Sequence, residues 1–168
     1  MNWLKIKPRV QYWRLFCILA ISSIYMGLLI SLHFVWYPGW TTITIHSLEE
    51  NFNRPVKEAV RIFKPLVIVM DFCALVLVLF ENGKIRRVLY VCLTGLAVLF
   101  TLLSVIYVLP LNEELATLAN ENLLKEKLLL WMRYNDFRMI VIGLTWLLTV
   151  FLISRPGVRS ELGGQIDP

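Results

Sequence analysis

The stretch LFCILAISSIYMGLLISLHFVWYPGWTTITI, Leu15 to Ile45, contains no Asp, Glu, Lys or Arg. A helix needs roughly 20 apolar residues to cross a hydrocarbon core about 30 Å thick, and this run exceeds that. Tyr12 and Trp13 precede it, and Trp36, Tyr37 and Trp40 close it, as the two membrane–water interfaces select. The reading is a membrane span over about Leu15 to Tyr37, ended by Pro38-Gly39. A basic leader with Lys5, Lys7, Arg9 and Arg14 comes before it, as in a secretory signal. The apolar run is far longer than the roughly 7–15 residues of a signal h-region, and no small-x-small site ends it. A retained helix is expected.

Three more spans follow from the same pattern. The second runs from about Pro65 to Phe80, with residues from Ile62 onward helping it cross, and is interrupted by Asp71. Glu81-Asn82-Gly83-Lys84 makes a compact turn. The third, about Val88 to Leu109, is again free of charge and is stopped by Pro110. The fourth covers about Met139 to Ile153, stopped by Arg155-Pro156, in a helix that begins near Leu123. The expected fold class is all-α, an integral membrane four-helix bundle. Residues 1–156 form one four-span domain and 157–168 a loose cytoplasmic tail. The whole-chain composition agrees: 58% hydrophobic, 17% charged, mean hydropathy +0.66, against about 45–50% apolar and about 25% charged in soluble domains.

Positive charge sets the orientation. The N-terminal segment, the turn with Lys84, Arg86 and Arg87, and the tail with Arg155 and Arg159 are basic. In the long connection before the fourth span Glu113, Glu114, Glu121, Glu126 and Asp136 outnumber Lys125, Lys127, Arg133 and Arg138, and the connection after the first span is mixed in charge. Both termini are therefore expected in the cytoplasm, in a bacterial inner membrane. The net charge of +5 is spent at span ends, so no nucleic-acid partner is expected. The expected partners are membrane lipids, a lipophilic small molecule, and a second copy or a membrane complex. In the first outer connection Leu48, Phe52, Val56, Val60 and Phe63 recur at helical spacing among charges. This reads as an amphipathic helix, with a similar one around Leu115, Leu118 and Leu123. Such helices either cap a cavity or are solvated connectors.

Polar residues inside lipid are expensive and invite a functional reading. Asp71, near mid-span, is either a hydroxyl-bonded packing lock, with Thr101, Ser104 or Thr145 at similar depth, or a site residue. His33, late in the first span, is either a packing residue or an acid–base group. His46 falls in the following loop, and two His alone make no haem or metal case. Cys17, Cys73 and Cys92 are an odd set inside apolar runs, read as packing residues rather than disulfides or ligands. Trp131, Asn135 and Arg138 lie at i, i+4 and i+7 and so share a helix face. Asn112 marks the end of the third span at the same depth. Together, with His33 as a further candidate, these are either a polar site on the outer side or an interfacial belt of snorkelling Arg and anchoring Trp.

Pro110-Leu111-Asn112-Glu113-Glu114-Leu115, followed by Trp131-Met132-Arg133-Tyr134-Asn135-Asp136-Phe137-Arg138, resembles the anthrone oxygenase-like membrane proteins. That family carries a Pro-x-Asn-x-x-Leu element after its third span, then Trp, an aromatic, His or Asn, and Arg opening the fourth. The resemblance implies a ligand site at Asn112, Trp131, Asn135 and Arg138, and the cofactor-free oxidation associated with fungal members. This chain has Asn135 where relatives often have His, which removes a base. Such chemistry needs a base and donors for an oxyanion, leaving His33 or Asp71 as base beside Arg138 as the catalytic set. No nucleotide, redox or metal motif is present, so no cofactor is expected. The competing readings are a non-catalytic accessory subunit and, with less to support it, a small transporter using Asp71.

Overall fold

The computed structural model describes the backbone of residues 3–154 and the side chains from residue 10 onward. The expected tail at 157–168, with Arg155 and Arg159, lies outside the described residues. Four helices are each long and apolar enough to cross a membrane: α1 (Val10–Trp40), α2 (Ile45–Phe80), α3 (Lys84–Ala116) and α4 (Glu121–Ser154). Each packs on its neighbours in the order α1–α2–α3–α4–α1, which is an up-down-up-down bundle.

Helical spacing of apolar residues builds the core. Leu15, Ile18, Ile21, Tyr25 and Leu29 of α1 meet Val67, Met70, Ala74 and Leu77 of α2. Tyr90, Leu93, Ala97 and Phe100 of α3 and Val141, Ile142 and Leu152 of α4 complete it. The buried small residues Ser22, Ala74, Ala97 and Thr145 let the backbones approach, as tight packing in lipid requires. Phe72, Leu79, Val88 and Leu147 point outward and are exposed, the inverse of a soluble surface.

The helices are longer than the spans read from sequence. α2 has 36 residues, roughly 54 Å at helical rise, well beyond a hydrocarbon core of about 30 Å. The first segment expected as a separate amphipathic connector is thus continuous with α2; the second is divided, with Leu115 in α3, Leu118 in the connection and Leu123 in α4, and the connections shrink to Thr41–Thr44 and Thr117–Asn120. Nor do Pro38 and Pro110 end their helices. A proline lacks the N–H that would bond the carbonyl four residues back, and its ring crowds that carbonyl. Wide π-type turns at Leu32–Trp36 and Ser104–Val108 come just before Pro38 and Pro110, and a third at Glu49–Asn53 comes before Pro55. Each relieves the conflict and lets the helix run on.

These extensions build a second core at the end of the bundle that carries both short connections. Tyr37, Trp40, Phe52, Val108, Leu115, Leu128 and Trp131 pack together there. At the opposite end the α2–α3 turn is held by Glu81, whose Oε1 accepts from the Gly83 N–H at 2.8 Å and whose carbonyl accepts from Arg87 Nε at 3.0 Å.

Candidate functional site

A cavity of about 390 Å³ lies where the two cores meet, within the range of small-molecule sites. All four helices line it. Leu29, Leu32, Val60, Phe63, Val67 and Val108 make most of the wall apolar, and Trp36, Trp40 and Trp131 close it toward the end that carries both short connections. Trp36, Ile68 and Val105 line it and are also exposed on the apolar outer surface of the bundle.

The polar groups are concentrated on α3 and α4. Trp131 Nε1 donates to Asn112 Oδ1 at 2.6 Å, linking the two helices. Asn135, 2% exposed, donates through Nδ2 to the Trp131 carbonyl at 2.9 Å. Its Oδ1 accepts from Arg138 Nη1 at 2.6 Å. The Arg138 guanidinium lies 4.7 Å from the centroid of the Phe100 ring, a cation–π contact. Arg138 Nε is buried with no hydrogen-bond partner, and among the described residues Arg138 forms no ion pair. A half-buried guanidinium with so few partners is costly, and Arg138 lines the cavity.

No protein-family model, curated protein or solved structure matches this chain.

The structure brings Asn112, Trp131, Asn135 and Arg138 together on one wall. His33 and Asp71 are not among the residues that line the cavity. His33 Nδ1 instead meets Asp136 Oδ1 at 2.8 Å, tying α1 to α4, with both side chains more than a third exposed. Its ring packs on Phe34 and Tyr37. Asp71 Oδ2 accepts the Thr101 hydroxyl at 2.7 Å, while Oδ1 is buried without a partner. Thr101 lines the cavity, so Asp71 stands one side chain behind its wall. Ser104 and Thr145 donate to carbonyls of their own helices, Phe100 and Val141. His46 is exposed near the start of α2, away from the cavity.

Three participants escape a sequence reading. Asp136 holds His33, and the only available signal is their matching depth on antiparallel helices. Lys64, exposed, reaches the cavity from α2. Tyr25, 4% exposed, lines the wall and donates to the Phe63 carbonyl at 2.8 Å. Among the described residues no three His, Cys, Asp or Glu side chains group as metal ligands.

Proposed function

We propose that this protein binds a lipophilic molecule with an aromatic or quinone-like polar end in the cavity between the two cores. The observation that carries the reading is the under-partnered Arg138 guanidinium facing a mostly apolar cavity. An intramembrane charge without a counter-charge marks a binding or transport path, and a few polar groups on an apolar wall fix a ligand's orientation. The Trp and Tyr rings on the wall suit a flat ring. The resemblance of the Asn112 and Trp131–Arg138 elements to anthrone oxygenase-like proteins supports the same site.

Binding, rather than oxygenation, is the activity we advance. Oxygenation needs a base within hydrogen-bond reach of the substrate, and neither His33 nor Asp71 lines the cavity. The ligand reaches the site from the lipid through the gap beside Ile68 and Val105. The end that carries both short connections faces outward and both termini lie in the cytoplasm, because Lys84, Arg86, Arg87 and the basic N-terminal segment favour the cytoplasmic side. Reporter fusions at the C-terminus that are active only outside the cytoplasm would overturn that orientation.

The binding reading is tested by mass analysis of organic extracts of the purified protein beside an Ala59→Trp variant, which fills the cavity from α2. A specific lipophilic molecule carried by the wild type and lost in the variant is expected. Bulk phospholipid alone in both, with equal thermal stability, would favour the accessory-subunit reading.

A further inference from the structure

Resting on that binding reading, we infer that the cavity selects an oxyanion: a carboxylate, phenolate or phosphate on an apolar body, in preference to its neutral counterpart. Two cationic side chains reach the wall, Arg138 from α4 and Lys64 from α2. Among the described residues neither forms an ion pair. No carboxylate lines the cavity. Asp136 and Asp71 are engaged elsewhere, the first by His33 and the second by Thr101.

The hydrogen bonds of the polar wall point the same way. Asn112 Oδ1 is occupied by Trp131 Nε1, and Asn135 Oδ1 by Arg138 Nη1. One Asn135 Nδ2 hydrogen goes to the Trp131 carbonyl. Each amide oxygen therefore already accepts one hydrogen bond from the protein. The N–H groups left for a ligand are the rest of the Arg138 fork and the Asn112 amide. The Tyr25, Thr101 and Ser104 hydroxyls that also line the cavity have given their protons to the Phe63 carbonyl, Asp71 and the Phe100 carbonyl and offer acceptor oxygens only. Two cations that form no ion pair, with free N–H donors beside them, pair best with an ionised acceptor, and a planar guanidinium matches the two oxygens of a carboxylate or phosphate. A neutral alcohol fills the apolar volume but leaves the charge uncompensated. Phe100 holds one face of the guanidinium at 4.7 Å, so the fork is oriented before the ligand arrives.

The test uses three probes of one shape: 4-octylbenzoate, 4-octylphenyl phosphate and 4-octylbenzyl alcohol. Each is titrated into the purified full chain in neutral detergent, following quenching of Trp36, Trp40 and Trp131, which line the cavity. At least one oxyanion is expected to bind about tenfold or more tighter than the alcohol; which one wins separates a carboxylate source from a phosphate source. That preference is expected to fall to within about twofold in Arg138→Gln, and to survive in Arg133→Gln, which alters an exposed cation on the same helix. Should Arg138→Gln fail to fold, Lys64→Gln at the exposed mouth replaces it and lowers the preference about threefold. Equal binding of alcohol and oxyanions overturns this inference and leaves the binding reading intact. Preference unchanged in the folded variants also overturns it. Binding of none of the three overturns both.

Discussion

If Arg138 is held for a ligand and not for the fold, the ligand-free protein should not need it. The perturbation is Arg138→Met, which keeps length and removes charge. It costs one charge-assisted bond, Nη1 to Asn135 Oδ1 at 2.6 Å, worth about 2 kcal/mol. It also loses the contact over Phe100 at 4.7 Å, about 1–2 kcal/mol when desolvated. Against these stands the effective penalty of an ion withdrawn from water, several kcal/mol. The partnerless Nε is part of that penalty and not an addition to it. The balance runs from zero to about 2 kcal/mol in favour of the variant. The assay is reversible unfolding of delipidated protein in mixed micelles by SDS titration, read by near-UV circular dichroism. A loss of about 3 kcal/mol or more, the magnitude of breaking a compensated buried pair, would show that Arg138 is a keystone of the bundle. Its missing partners would then mark no ligand site.

The same geometry makes three further predictions. Trp131→Phe keeps the ring packing on Trp40 and Phe52 but strands the Asn112 acceptor; a loss of about 1–2 kcal/mol is expected, partly recovered by adding Asn112→Leu, in the same SDS titration. The His33–Asp136 pair, with side chains 38% and 37% exposed, should show a coupling of no more than about 1 kcal/mol in a double-mutant cycle with His33→Gln and Asp136→Asn. Coupling above about 2 kcal/mol would mean that lipid, not water, covers that end of α1 and α4. Asp71→Asn keeps an acceptor for Thr101 while removing a charge whose Oδ1 has no partner; stability unchanged or higher by about 1 kcal/mol is expected, and proton flux into proteoliposomes that vanishes in this variant would revive the transporter reading.

The spans were readable because burying backbone in lipid demands long apolar helices, and the charge-free runs at Leu15–Ile45 and Val88–Leu109 admit little else. The helix ends were not readable from Pro38 and Pro110. A wide turn just before each proline absorbs the conflict, and no residue type announces such a turn. The same device explains the uneven legibility of the site. Trp131, Asn135 and Arg138 sit on an uninterrupted stretch of α4, where 3.6-residue spacing predicts a shared face. His33 lies inside the wide turn Leu32–Trp36. The extra residue of such a turn rotates the rest of the helix by about 100°, one residue's share of a helical turn. Simple spacing therefore could not say that His33 meets Asp136 rather than the cavity. Asp71 follows ordinary periodicity, but its partner depends on the register between α2 and α3, which only packing fixes.

The most direct test of an occupied cavity is photolabelling in native membranes with an alkylbenzoate carrying a diazirine on its chain, followed by peptide mapping. Saturable adducts at the cavity-lining Val60, Val105 or Val108, displaced by unlabelled 4-octylbenzoate, are predicted. Labelling that never saturates and falls only on the outward-facing Phe72, Leu79 and Leu147 would contradict a ligand site within this bundle.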